Sequence, residues 1–213
     1  MNRLLSFFAL AFFVVTVSSC SEEETVEPVL AKRIDNLAAD PATGFDPNTG
    51  APIGSTGRFT LFSFKTGEIL SGEDANLNST KWDIGFRGTT IIVNSGSSGP
   101  GTAQAQIVSG IFDQLVEAPA SGYASDATTN GTPSYAIPTG SGRGWYTATQ
   151  TSPTIITPIA GKVIIVKTVD GRYAKMEILS YYKDAPASPT GNEPARYYTF
   201  RYVYQPNDTR SFQ

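Results

Sequence analysis

The sequence predicts an all-β domain, an antiparallel sandwich-like packing of strands with a C-terminal β-meander and long loops. Three observations carry that expectation. Apolar and polar residues alternate in several runs between residues 58 and 204, which is the two-residue period of a half-buried strand. Asp170-Gly171 sits between two β-rich runs, the strongest short hairpin signal. No segment of helical length sustains a 3.6-residue period. An aromatic content of 11%, mostly Tyr and Phe, agrees, because such rings suit pleated surfaces.

The first twenty residues, MNRLLSFFALAFFVVTVSSC, read as an address. Arg3 is a short positive region, Leu4 to Val17 an apolar run, and small residues follow. The run is too short for a comfortable membrane-spanning helix. Residues 1–19 are therefore expected to be a signal peptide. The ending VSSC resembles the bacterial lipobox, in which the Cys receives lipid, so Cys20 is the expected lipidation site. It is the only cysteine, so no disulfide can form within the chain.

Residues 20–57 are expected to be an acidic flexible tether and entry segment. The run SEEE resembles the acidic export signal of Bacteroidetes surface lipoproteins. DPATGFDPNTG repeats D-P-x-T-G, in which Asp and Pro begin turns and Gly supplies positive φ. Asp40, Asp46 and Asn48 lack the spacing of an EF-hand loop and read as turn residues.

Residues 58–213 form the expected β domain. RFTLFSF puts Phe59, Leu61 and Ser63 on one face and Thr60, Phe62 and Phe64 on the other. KWDIGFR puts Trp82, Ile84 and Phe86 inward and Lys81, Asp83 and Arg87 outward. TTIIVN continues as an apolar strand, and 94–102 as a flexible rim rich in Gly and Ser. AQIVSGIFDQLVEAP fits a strand or a short helix, with Gly110 favouring a bend. GKVIIVKTVDGRYAKMEILSYY is a hairpin. KDAPASPTGNEPA is a loop, and RYYTFRYVY a last strand with Tyr198, Phe200, Tyr202 and Tyr204 on one face.

Composition excludes several chemistries. The chain has no histidine, so Ser-His-Asp and Cys-His nucleophile arrangements cannot be built, nor the usual zinc sites. The net charge of -3 argues against a nucleic-acid binder acting through bulk positive charge. GSSGPG lacks the Lys and the strand-to-helix setting of a phosphate loop. The acids stand in no recognisable motif, with Asp83 and Glu177 at outward positions. An enzyme is not expected.

Several stretches together resemble the HmuY family of haem-binding lipoproteins from Bacteroidetes. They are FSFKTGEIL (62–70), KWDIGFRGTTIIVNSGSSG (81–99), GIFDQLVEAP (110–119), WYTAT (145–149) and the terminal run from GRYAKMEILSYYKD to YYTFRYVYQPN (171–207). The resemblance implies an all-β domain, lipid-anchored at the outer membrane and facing the extracellular side. It implies capture of haem, or a related small apolar ligand, for handover to a TonB-dependent outer-membrane receptor. The best-known members hold the iron between two axial side chains, histidines in one branch and methionines in others. This sequence departs there. It has no histidine, and Met176, alternating with Ala174 and Ile178, reads as a core residue.

If haem is bound, a phenolate oxygen is the expected axial ligand, or none. The candidates lie in the irregular region 118–150, where a ligand mouth is most easily formed. They are Tyr123, Tyr135 and Tyr146, with Trp145 to stack on a flat ligand and Arg143 to pair with a propionate. The alternative reading is a binding or interaction protein on the same scaffold with another ligand or an outer-membrane partner.

Overall fold

The computed structural model describes residues 26–45, 47 and 52–213. The expected signal peptide, Cys20 and the acidic run after it lie outside the described residues. Along the first half run β1 (Leu30–Ala38), β2 (Gly44–Phe45), β3 (Pro52–Ile53), β4 (Thr60–Phe62), β5 (Ile69–Ser71), α1 (Asp74–Leu77), β6 (Ile84–Arg87), β7 (Thr90–Val93) and β8 (Gln104–Ser109). Then follow β9 (Ala127–Thr129), β10 (Thr132–Ser134), β11 (Tyr146–Ala148), β12 (Ile156–Pro158), β13 (Lys162–Lys167), β14 (Tyr173–Tyr182) and β15 (Ala195–Gln205). Two antiparallel sheets dominate, one in the order β1-β15-β14-β13-β8 and the other β5-β4-β6-β7. The C-terminal meander is β13-β14-β15, and Gly171 at its first turn has a φ of +81°, the region that glycine enters without strain.

The two sheets close on one another through the faces that alternation marks. Phe62, Phe64, Ile84 and Phe86 of the smaller sheet join Met176, Tyr198, Phe200 and Tyr202 of the larger in one buried cluster. The rings meet edge to face, Phe62 to Phe200 at 5.3 Å and Phe62 to Tyr202 at 5.5 Å. Such pairs add about 0.5–1.5 kcal/mol each beyond area burial. Met176 is fully buried among them, as its alternation with Ala174 and Ile178 implies. Each sheet also carries a smaller cluster on its outer face. Val163, Ile165 and Val203 pack with Phe112 and Phe212 on the larger sheet; Leu61 and Ile92 pack with Trp82 on the smaller.

Four expectations need correction. Residues 30–38, assigned to a flexible tether, form β1 and pair with β15 from Leu30↔Tyr204 to Ala38↔Tyr197. The fold therefore begins well before residue 58. The strand was hidden because LAKRIDNLA is an edge strand with exposed Lys32, Arg33 and Asp35, broken by a bulge near Asn36. Phe59 and Leu61 do share the outer face, yet Trp82 lies there with them and not beside Ile84 and Phe86. Its indole N–H donates to the Leu77 carbonyl at 3.2 Å.

Asp83, expected outward, is 5% exposed. Regular β6 starts only at Ile84, so the period of two does not govern Asp83, and its carboxylate turns in to accept the Phe64 and Val169 N–H groups at 2.8 and 2.9 Å. The 94–102 segment is a built loop. Asn94 is fully buried, donates to the Ser79 and Trp82 carbonyls and accepts the Gly101 N–H. Gly99 and Gly101 lie so close to Asn94 that neither could carry a side chain without displacing it. The run 105–119 agrees with its sequence: strand β8, a bend past Gly110 and a 3-10 turn over Phe112–Gln114. Asp40 is a turn residue as its sequence setting suggests, accepting the Thr56 and Gly57 N–H groups.

Candidate functional site

At one end of the sandwich the long β14–β15 connection meets the loop before β12 and the segment 42–44. Between them lies a cleft of about 690 Å³. Its wall is made by Tyr181 and Tyr182 at the end of β14, Ile156 of β12, and Ala195 and Arg196 at the start of β15. Regular alternation would bury one of two consecutive tyrosines. Register shifts after Ile178 and after Ser180 instead leave both buried, their rings edge to face at 5.6 Å.

Hydrogen bonds fix the wall. The Tyr182 hydroxyl accepts the Ile156 N–H at 2.9 Å, tying β12 to β14. Arg196 adopts a φ of +67°, unusual for a residue with a side chain, and donates from Nη1 to the Asp40 carbonyl at 2.9 Å. Burial pushes the Tyr181 phenol up to about 12, against the pull of the Arg196 guanidinium, which hydrogen-bonds it. At neutral pH Tyr181 is thus a neutral phenol beside a fixed cation. Behind it stand Trp145, 5.9 Å away between ring centres, and Tyr198 at 5.5 Å. The cleft has an aromatic wall, one guanidinium, two phenolic oxygens and the Glu193 carboxylate, which is held by the Thr190 and Gly191 N–H groups. It can hold a flat apolar body and pair with a carboxylate at its edge.

The residues nominated from sequence do not converge. Tyr123 lies on the outer face of the larger sheet, its ring 6.0 Å from that of Tyr173 and its hydroxyl donating to the Pro119 carbonyl at 3.0 Å. Burial pushes its phenol up to about 12. Tyr135 lies on the outer face of the smaller sheet. Tyr146 joins the central cluster, only 7% exposed. Three tyrosines on three layers cannot ligate one iron. Trp145 donates its indole N–H to the Thr89 carbonyl and does not line the cleft. Arg143 is exposed in the turn around Gly140 and makes no ion pair among the described residues. Trp145 and Tyr146 do stand behind the cleft, so region 118–150 contributes support and not the wall.

The wall residues Tyr181, Tyr182 and Arg196 escaped the sequence reading. Their signal was the tandem Tyr in LSYYKD, which a clean period of two cannot bury together, and the Arg that follows the Pro-rich loop. Among the described residues no three His, Cys, Asp or Glu side chains gather to hold a metal ion. No helix among them is long and apolar enough to cross a membrane.

The fold is a two-sheet β scaffold with a loop-lined cleft at one end. The chain belongs to the HmuY family: the family described as HmuY protein matches residues 55–202. This is a family of binding proteins. Among solved structures, the chain is similar to a candidate lipoprotein of Bacteroides fragilis, with 17% identity, a TM-score of 0.51 and coverage of 84% of this chain and 90% of that one. An apo HmuY analogue from Tannerella forsythia matches at 16% identity and a TM-score of 0.49, covering 86% and 100%. A candidate HmuY-like haem-binding protein from Bacteroides vulgatus matches at 18% identity and 0.49, covering 84% and 93%. No curated protein matches the sequence.

Proposed function

We propose that this protein captures haem, or a related tetrapyrrole, at the cell surface, in the cleft walled by Tyr181, Tyr182 and Arg196. The observation that carries the reading is this cleft in a member of a haem-related family, with a fixed guanidinium beside an aromatic wall. Its volume lies within the range that small-molecule sites occupy. The macrocycle is held by apolar burial, with Arg196 pairing with a propionate. No imidazole exists in the chain and Met176 is sealed in the core. The ionisable oxygens on the cleft lining are the Tyr181 and Tyr182 phenols and the Glu193 carboxylate, and we assign any axial bond to iron to a phenolic oxygen, the type of oxygen ligand that holds haem iron elsewhere. The two phenols replace Tyr123, Tyr135 and Tyr146 as the proposed ligands.

Titrating haemin into the chain from Ser21, which keeps every described strand, tests this. A shifted Soret band at micromolar haemin, weakened by Arg196→Gln, is expected; an unshifted band rejects haem capture. A shift that survives Tyr181→Phe and Tyr182→Phe rejects ligation while leaving apolar capture in place. A second reading, an iron-free ligand of the same shape, draws support from the absence of any imidazole. Binding of protoporphyrin IX without binding of haemin selects it.

The lipid anchor at Cys20, display on the outer membrane and handover to a TonB-dependent receptor belong to the same proposal. Incorporation of labelled fatty acid that is lost in Cys20→Ala, together with protease access in intact cells, checks the first two. Receptor-dependent transfer of the bound ligand checks the third.

A further inference from the structure

We infer that the outer face of the four-stranded sheet carries a second binding site, for a small ring-bearing carboxylate. Tyr135, which plays no part in the cleft, stands here. A pocket of about 290 Å³ lies between β6, β7, α1, the loop 97–98 and the β9–β10 hairpin. Its floor is Ile92 and its walls are Phe59, Leu77, Pro133 and Tyr135. The volume suits a single ring and is far too small for a macrocycle.

One cation sits on the rim. Arg87 lies with its guanidinium 4.3 Å from the centre of the Phe59 ring and donates from Nη1 to the Gly57 carbonyl at 2.8 Å. It makes no ion pair among the described residues. A guanidinium held in place by a ring and a carbonyl, with the remaining donors unspent, is preorganised for a carboxylate. The rest of the rim is Ser97, Ser98 and Thr128; the Ser98 hydroxyl is engaged by the Asp126 carboxylate, which leaves the Ser97 and Thr128 hydroxyls to meet a ligand. The Tyr135 hydroxyl has no hydrogen-bond partner among the described residues, although its ring is packed on the Leu61–Trp82–Ile92 cluster. An apolar floor, an aromatic wall and a single unpaired cation together select an anion with a hydrophobic body. A bare inorganic anion would leave the floor unfilled, and a neutral ring would leave the guanidinium unused. This pocket shares no lining residue with the haem cleft, so the two sites are independent.

The test is an NMR titration of the chain from Ser21 with benzoate, using benzamide as the neutral isostere. Benzoate is expected to saturate in the millimolar range, with shifts centred on Ile92, Ser97 and Tyr135. Benzamide should bind about tenfold more weakly, and Arg87→Gln should weaken benzoate by about tenfold or more while leaving benzamide unchanged, since a hydrogen bond to a charged group is at stake. Thr128→Trp, on the exposed hairpin, should block both probes. Shifts that are absent, that scatter over the surface, or that ignore Arg87→Gln in a folded variant overturn the inference. Haemin binding measured on the same sample reports the other cleft and stands or falls separately.

Discussion

Asp83→Ala probes the joint between the two sheets. The Asp83 carboxylate accepts N–H groups from Phe64, at the end of β4, and from Val169, in the β13–β14 turn. Removing it orphans two donors, one of them fully buried, and each hydrogen bond to a charged acceptor is worth about 1.5–3 kcal/mol. Part of that is offset, because burial makes the ionised form costly: the carboxyl is pushed from its ordinary 3.8 to about 6, with the Asp170 charge adding to burial and the two N–H bonds opposing it. The net loss at pH 7 is about 2–3 kcal/mol.

The pH signature is more specific than the loss. Between pH 4 and 6 folded Asp83 holds a proton that the unfolded chain has released, so this group's contribution is fullest below pH 4 and declines as pH rises through 6. A shift of roughly two units corresponds to about 3 kcal/mol. The stability gap between wild type and Asp83→Ala should therefore widen by about 2–3 kcal/mol from pH 7 to pH 4. Urea unfolding followed by tryptophan fluorescence over that range measures both quantities. A gap that is constant with pH, or that narrows toward acid, refutes the assignment of a destabilised buried carboxylate at this joint.

Three further outcomes follow from local geometry. Gly96→Ala places a Cβ against the Asp126 carbonyl oxygen at a φ of +56°, and should cost about 3 kcal/mol or more, read as a lower urea midpoint with unchanged slope. Lys175→Ala removes an ammonium that donates to the Phe112 and Leu115 carbonyls at 2.7 and 2.9 Å and lies 4.4 Å from the centre of the Phe112 ring. It should cost about 2–3 kcal/mol and speed hydrogen exchange in residues 112–118, whereas loss of stability without local exchange places the effect elsewhere. Tyr204→Phe breaks the hydroxyl bond to the Asp170 carboxylate at 2.7 Å and should cost about 1–2 kcal/mol; a neutral result in thermal unfolding shows that Lys65 and Thr168 hold Asp170 without it.

What the sequence determined by itself is the part governed by a local period. Tyr198, Phe200, Tyr202 and Tyr204 had to share a face once 195–205 was extended, and Asp170-Gly171 had to turn, because both follow from backbone geometry within a few residues. Met176 followed from the same alternation. In a chain with no histidine, a core-facing Met176 leaves the β domain offering iron neither an imidazole nor a thioether.

The tertiary structure decided what no local pattern encodes. Whether LAKRIDNLA is a tether or a strand depends on β15, a partner some 170 residues later in the chain. The fate of Asp83 depended on two N–H groups supplied by other elements. The cleft exists because register shifts in β14 turn Tyr181 and Tyr182 together toward a loop that Arg196 and Asp40 close. Tyr123, Tyr135 and Tyr146 are near in sequence but pack into three different clusters, on the outer face of one sheet, the outer face of the other and in between, and the β9–β10 hairpin between Tyr123 and Tyr135 pairs only with itself. Periodicity gives a residue its face; only the packing of distant strands says what that face meets.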